Sequence, residues 1–235
     1  MSGAGCLTDC GAVTYGSAIA LDPSGNVYIG GRTVSTNPVL SAGAFNTSGS
    51  GASSSTPSLL NASGGYGYVA KFAPVTTSGT TLIYSTYFGG GSAAGGDVGG
   101  LAGDSNGNAY VTGDTHASDF PATAGAFQTQ CDPTQFATFC NQGAYVAKLN
   151  PSGTSLVWAT FLGNGSNAPL RFLGPVVVDN AQNVYVLGEG TGELPLGGGK
   201  CPVPLSSHAA VVWRLPKCVA LFGRQPIPER RQERC

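Results

Sequence analysis

Asp22-Pro-Ser-Gly-Asn-Val-Tyr-Ile-Gly-Gly31 is the stretch that decides the fold, because it comes back. It returns as Asp104-Ser-Asn-Gly-Asn-Ala-Tyr-Val-Thr-Gly113, 82 positions on, and again as Asp179-Asn-Ala-Gln-Asn-Val-Tyr-Val-Leu-Gly188 after a further 75. A second signature follows each copy: Tyr68-Val-Ala-Lys-Phe72, Tyr145-Val-Ala-Lys-Leu149 and Val211-Val-Trp-Arg-Leu215. A third closes two of them, Leu82-Ile-Tyr-Ser-Thr-Tyr-Phe-Gly89 and Leu156-Val-Trp-Ala-Thr-Phe-Leu-Gly163. Repetition at a fixed period means one supersecondary unit used several times. Within the first copy Val27 and Ile29 alternate with Tyr28, the period of a half-buried strand. Just before it, Asp followed by small polar residues, Gly and Asn has the chemistry of a type I turn ending in a left-handed residue.

Each copy reads as four short strands, A to D. The expected strands are Ser17–Leu21, Val27–Arg32, Gly67–Ala73 and Leu82–Phe88 in the first copy, and Gly99–Gly103, Ala109–Asp114, Ala144–Asn150 and Leu156–Leu162 in the second. The third supplies Pro175–Val178, Val184–Glu189 and Ala210–Leu215, with Val219–Phe222 as the candidate for its last strand. The A–B and C–D connections are tight turns. The B–C connections (about 33–66, 115–143 and 190–208) are long, and the first holds the low-complexity run Gly49-Ser-Gly-Ala-Ser-Ser-Ser-Thr56. In an up-and-down sheet the B–C loops share one end with the D–A links between copies. Arg32, Asp97, Asp114, His116, Asp119, Asp132, Arg171, Glu189, Glu193 and Lys200 fall on that side, so a binding surface is expected there.

Composition agrees with an all-β chain rich in turns. Charged residues are 10% of the 235, against roughly 25% in ordinary soluble domains, and Gly contributes 37 residues. No run approaches the roughly 18 apolar residues of a membrane-spanning helix. Residues 1–216 carry six Lys/Arg and ten Asp/Glu, which disfavours nucleic-acid binding, since that needs a basic surface. Residues 217–235 carry five basic and two acidic residues, and read as a basic tail, either a partial last strand or a non-native end. The seven cysteines lack zinc-like spacing, and neither His116 nor His208 stands close to a cysteine in sequence. Disulfides in an oxidising compartment are the expectation, with Cys131 and Cys140 bracketing one loop and Cys6 and Cys10 as neighbours. Met1-Ser-Gly-Ala-Gly-Cys6 has no secretory h-region, so the chain is expected to lack its true N-terminus.

Four-stranded units in series are blades of a β-propeller. The segments Asp104–Thr115, Ser118-Asp-Phe-Pro121, Ala124-Gly-Ala-Phe-Gln-Thr129 and Ala144-Tyr-Val-Ala-Lys-Leu-Asn-Pro151 resemble the bacterial β-propeller repeat known as SBBP. The likeness is clearest in the second copy, good in the first and eroded in the third. The resemblance implies a propeller and an extracellular or cell-surface setting in a large bacterial protein. It implies no catalytic residues and no cofactor. Blades are expected at about 17–89, 99–163 and 174–216 within a repeat region 17–216, with 1–16 ending a missing blade or serving as a link. Closed propellers use four to eight blades. About three therefore make an incomplete propeller, with raw edges for further blades or other chains.

Several residues invite a chemical reading. The Asp-x-x-Gly-Asn turns offer oxygens to a hard cation, but they lack the carboxylates and the bidentate Glu of a calcium loop, and turn chemistry explains them with no metal. Lys71, Lys148 and Arg214 recur at one position of strand C. A cation repeated in every blade is expected to serve the fold, its stem snorkelling over apolar surface, rather than to act as a unique nucleophile. Asp114, His116 and Asp119 cluster after strand B of the second copy only, where acid–base work and a solvated loop are both open readings. Phe136 and Phe139, inside the segment bracketed by Cys131 and Cys140, either pack on a neighbouring blade or present a protein- or sugar-binding tip. The leading expectation is a non-catalytic propeller segment for protein or glycan binding or scaffolding. The alternative is a propeller-type hydrolase or lyase with its site near Asp114, His116 and Arg171.

Overall fold

In a computed structural model, the chain is described over residues 14–33, 39–47, 65–90, 96–131, 139–162, 170–190, 194–196, 199–201, 209–215 and 217–218. The side chains of 116, 139–142, 170–173, 189–190 and everything from 194 onward lie outside that description. Among the described residues every regular element is a strand.

The first sheet contains β1 (Thr14–Leu21), β2 (Val27–Thr33), β3 (Tyr66–Phe72) and β4 (Leu82–Phe88), antiparallel and in sequence order. The second repeats it with β5 (Gly96–Gly103), β6 (Ala109–Ala117), β7 (Phe139–Leu149) and β8 (Leu156–Phe161). The third is built from β9 (Leu170–Val178), β10 (Val184–Gly190), β13 (Ala209–Leu215) and β14 (Lys217–Cys218). A short hairpin, β11 (Leu194–Leu196) with β12 (Gly199–Cys201), stands inside its B–C connection. These are three four-stranded antiparallel propeller blades.

The differences from the sequence reading have local causes. Among the described residues the fourth strand of the third blade is Lys217–Cys218, paired with Trp213 and Arg214; the expected strand Val219–Phe222 lies outside the described residues. β6 runs on to Ala117 and β7 begins at Phe139, because the two keep pairing past the apolar stretch, up to Ala117 opposite Phe139. His116, expected just after strand B, therefore lies on the strand with Asp114. Strand A carries a register shift at the same place in every blade, between Gly16 and Ala18, between Val98 and Gly100, and opposite Val186 and Gly188.

Successive blades stack through strand A: β5 lies against β1, β2 and β3, and β9 lies against β5, β6 and β7. Two apolar layers result. One holds Tyr28, Val69, Tyr84, Phe88, Val98, Leu101, Val111 and Tyr145 between the first and second blades. The other holds Ala102, Tyr110, Val146, Val176, Val184 and Val186 between the second and third. The described parts of the long B–C loops turn down the outer strands rather than gathering wholly at one end. Residues 41–46 bond along β4 (Ser41 N to Ser85 O, 3.1 Å; Tyr87 N to Asn46 O, 3.2 Å), and Thr123 and Gln128 do the same along β8 (2.9 and 3.0 Å). Each loop thus occupies a strand edge that would otherwise be open to another chain.

Candidate functional site

Two polar constellations stand out, and they differ in whether the blades share them. The shared one starts at the A–B turn. Asp22 accepts hydrogen bonds from the Ser24 and Asn26 amides (2.9 and 3.0 Å) and from Asn26 Nδ2 (2.7 Å). Asp104 does the same with Asn106 and Asn108, and Asp179 with Ala181 and Asn183. The tyrosine six residues on, Tyr28, Tyr110 or Tyr185, turns its hydroxyl onto the same carboxylate at 2.9, 3.2 and 3.2 Å. Turn amides and a phenol are what these oxygens face, as turn chemistry requires. Among the described residues no group of three or more His, Cys, Asp or Glu is placed to hold a metal.

Strand C adds the cation. Lys148 Nζ lies 3.1 Å from Asp104 Oδ2, both side chains buried, and 4.8 Å from the centre of the Tyr110 ring. Lys71 is 4.0 Å from Asp22 and instead donates to the carbonyl of Gly107, in the next blade's turn, at 2.9 Å. The Tyr28 hydroxyl is also 2.9 Å from that carbonyl. Lys148 makes the matching reach to Gln182 Oε1 at 3.4 Å. The snorkelling expectation is corrected here: both lysines are buried to the ammonium, because it finds partners inside. Burial lowers the Lys71 pKa, and the charges of Asp22 and Asp104 only partly offset it. Burial pulls Lys148 the same way, but its bonds to Tyr110 and Asp104 win and the pKa rises. Burial would raise the Asp104 carboxyl, yet hydrogen bonds from Asn108 and the neighbouring Lys148 hold it below the ordinary value.

The second constellation belongs to one junction alone. Asp97 on β5 faces Asp114 on β6 as a cross-strand pair. Asp97 Oδ1 is buried with no hydrogen-bond partner. Burial, then the charge of Asp114, pushes the Asp97 carboxyl up to about 6, with Arg32 of the first blade and the Val98 amide acting in the opposite direction. The Tyr145 hydroxyl donates to the Asp97 carbonyl at 2.8 Å and is itself fully enclosed. A carboxyl titrating near pH 6 beside a second carboxylate can hold or release a proton close to neutrality. This is the one acid–base feature among the described side chains.

The sequence-derived site residues fall around this junction unevenly. Asp114 is part of it. Asp119 is exposed in the turn after β6, where it borders Gly90 of the link between blades. His116 lies on β6 and Arg171 on β9, with side chains outside the described set. Phe139 opens β7 opposite Ala117, Phe136 is outside the described residues, and so are Cys6 and Cys10. Cys131 is disulfide-bonded; Cys140 lies on β7, and its side chain is outside the described set. Sequence reasoning placed Asp97 and Arg32 at this end but missed that Asp97 pairs with Asp114 and that the Arg32 charge acts on Asp97. It also missed Phe120, a loop residue that stacks on Tyr145 (4.7 Å between ring centres) and edges onto Phe161 (5.2 Å).

No curated protein matches the chain. A family model for the SBBP beta-propeller repeat does match, at residues 8–37 and 83–121. The second match runs from the outer strand of the first blade through β5 and β6 to the buried Phe120, and so covers one blade junction. Three antiparallel four-stranded sheets and the turn that recurs in each agree with this match, and residues 8–37 and 83–121 are similar to the SBBP beta-propeller repeat.

Proposed function

We propose that this chain is a non-catalytic propeller segment of a secreted or surface bacterial protein, a scaffold whose B–C end binds protein or glycan. The observation that carries the reading is how the buried polar groups are distributed. Asp22, Asp104, Tyr28, Tyr110, Lys71 and Lys148 are all engaged in turns and in ties from one blade to the next. A group that recurs at the same register position in successive blades is serving the array. What varies from blade to blade is the B–C end, where Asp97, Asp114 and Asp119 lie. Pairing of Cys131 with Cys140 would fit this reading, since Cys131 is disulfide-bonded and a disulfide persists in an extracellular setting. Its partners are further blades together with a ligand at that end, with no nucleic acid, no membrane insertion and no cofactor.

The test is a panel of immobilised bacterial and host-surface glycans and proteins, read by interferometry. Binding that Asp114→Ala or Phe136→Ala weakens at least about tenfold, a loss of about 1.4 kcal/mol, supports the reading. The competing hydrolase reading has one observation in its favour, the Asp97–Asp114 pair with its raised pKa. Turnover of glycoside, ester or peptide substrates that Asp97→Asn abolishes would overturn the non-catalytic assignment.

A further inference from the structure

We propose that two copies of this chain join head to tail, the third blade of one seated on the first blade of the other, through the contact its own blades already make twice. The proposal rests on the scaffold reading above and names its partner as a second copy. Three sequence-equivalent residues carry it. Ile19, Leu101 and Val176 occupy the same register position of strand A, opposite Ile29, Val111 and Val186. Leu101 and Val176 are each covered by the blade before them, at 6% and 3% exposure. Ile19 is 74% exposed, and Leu21 beside it 65%. The first blade thus presents the receiving half of the contact.

The third blade presents the other half. Tyr28, Tyr110 and Tyr185 stand opposite Ala20, Ala102 and Val177. Ala102 is buried beneath the next blade, whereas Val177 is 60% exposed, and Leu187, at the place of the buried Thr112, is also open. The turn and the strand-C register position of the polar tie recur as well. Gly107, whose carbonyl takes the Lys71 ammonium, has φ +81°, and Gly25 in the first blade's turn has the same φ. Arg214 stands opposite Tyr185 across β10 and β13 as Lys71 stands opposite Tyr28 and Lys148 opposite Tyr110. It is the cation at that register position. A second copy therefore brings the apolar residues Val177 and Leu187 to the exposed Ile19 and Leu21, with an arginine at the strand-C register position that Lys71 and Lys148 hold in the other blades. Two such joints between two copies give a ring of six blades, within the four-to-eight range of closed propellers. The contact joins different patches, so it is heterologous.

Light scattering over a concentration series tests this on the full chain. Twice the chain mass is expected. Ile19→Glu and Val177→Glu, both at exposed positions that tolerate charge in the fold, should each weaken association at least about tenfold by placing an unpaired charge in the joint. Val157→Glu, on the outer strand of the middle blade, should leave it unchanged. Mixing Ile19→Glu with Val177→Glu should restore one joint, because each variant keeps the half the other has lost. A wild-type monomer at about 100 μM, a weak limit for a specific contact, overturns the proposal. So does association indifferent to both variants, or a mixture that stays monomeric. If a longer polypeptide holds further blades that cover Ile19 within one chain, it runs as a monomer and the second copy is excluded. None of these outcomes alters ligand binding lost through Asp114→Ala, so the two readings fail separately.

Discussion

Replacing Asp104 by Asn should be among the most damaging isosteric changes available, and its cost should exceed that of the same change at Asp22. The side-chain amide introduced there can still accept from the backbone N–H groups of Asn106 and Asn108 through its one carbonyl oxygen. Its NH₂ group would meet Asn108 Nδ2 and the Lys148 ammonium, which can only donate, and the Tyr110 hydroxyl, which would have to turn from donor to acceptor, where the carboxylate accepted all three at 2.8, 3.1 and 3.2 Å. Lys148, buried with its counter-ion gone, becomes an uncompensated charge, and breaking such a pair costs about 3–5 kcal/mol. At Asp22 the lysine is 4.0 Å away and already held by the Gly107 carbonyl, so Asp22→Asn should cost only about 1–2 kcal/mol, the value of the neutral hydrogen bonds disturbed. Guanidinium unfolding at pH 7 measures both. Lys148→Met should rescue part of the Asp104→Asn loss, with a coupling of about 1–3 kcal/mol in the double-mutant cycle. The Asp104 carboxyl lies below its ordinary value of 3.8, so its stabilisation is complete above that pH and disappears as pH falls through the folded-state value. Asp104→Asn should accordingly flatten the acid limb of the stability curve. Equal costs at the two aspartates, or additive losses with Lys148→Met, would refute the reasoning.

Asp97 should behave with the opposite sign: its folded pKa, about 6, lies above 3.8, so its favourable contribution is complete below pH 3.8 and is lost as pH rises through 6. A shift of about two units is worth about 3 kcal/mol at full burial, roughly halved here because solvent still reaches the group, so Asp97→Asn should raise stability by about 1 kcal/mol at pH 8 and change nothing at pH 3.5, as melting temperatures across that range would show. Gln182, the non-glycine residue with positive φ among the described residues, at 61°, replaces the turn glycine of the other blades; Gln182→Gly should stabilise by up to about 1 kcal/mol, the strain of a left-handed residue less its long contact with Lys148. Gly153 has φ +70° and no room for a Cβ against the Tyr84 ring, so Gly153→Ala should cost about 2–4 kcal/mol in chemical unfolding, whereas Gly125→Ala, at φ +77° with nothing within 4 Å, should cost about 1 kcal/mol.

The blades were legible because their signals are local and repeated. The Asp-to-Asn turn carries its own hydrogen-bonding chemistry, so Asp22, Asp104 and Asp179 announce a hairpin without any tertiary knowledge. The tie that Lys71 makes to the next blade was only half legible. Recurrence marked it as structural, but nothing in Tyr-Val-Ala-Lys shows that the ammonium ends on Gly107, a carbonyl in another repeat. Phe120 was hidden for a similar reason: it sits among polar loop residues, and only the packing of Phe88, Tyr145 and Phe161 around it reveals a core position.

The Asp97–Asp114 pair was illegible for a sharper reason. Counting outward from the turn, with Gly103 opposite Ala109, sets Asp97 opposite Thr115. The register shift between Val98 and Gly100 moves the partner by one, to Asp114. One inserted residue in strand A thus turns a carboxylate beside a hydroxyl into a carboxylate beside a carboxylate, and the raised pKa follows. All three blades carry this shift, but at the equivalent register pair the first has Tyr15 opposite Arg32 and the third has Phe172 opposite Glu189. The bulge belongs to the scaffold, and what it juxtaposes differs in every blade. A repeat built this way keeps its turns and inter-blade ties constant while leaving one cross-strand pair per blade free to vary. That pair, near the B–C end, is where a binding specificity could diverge without cost to the array.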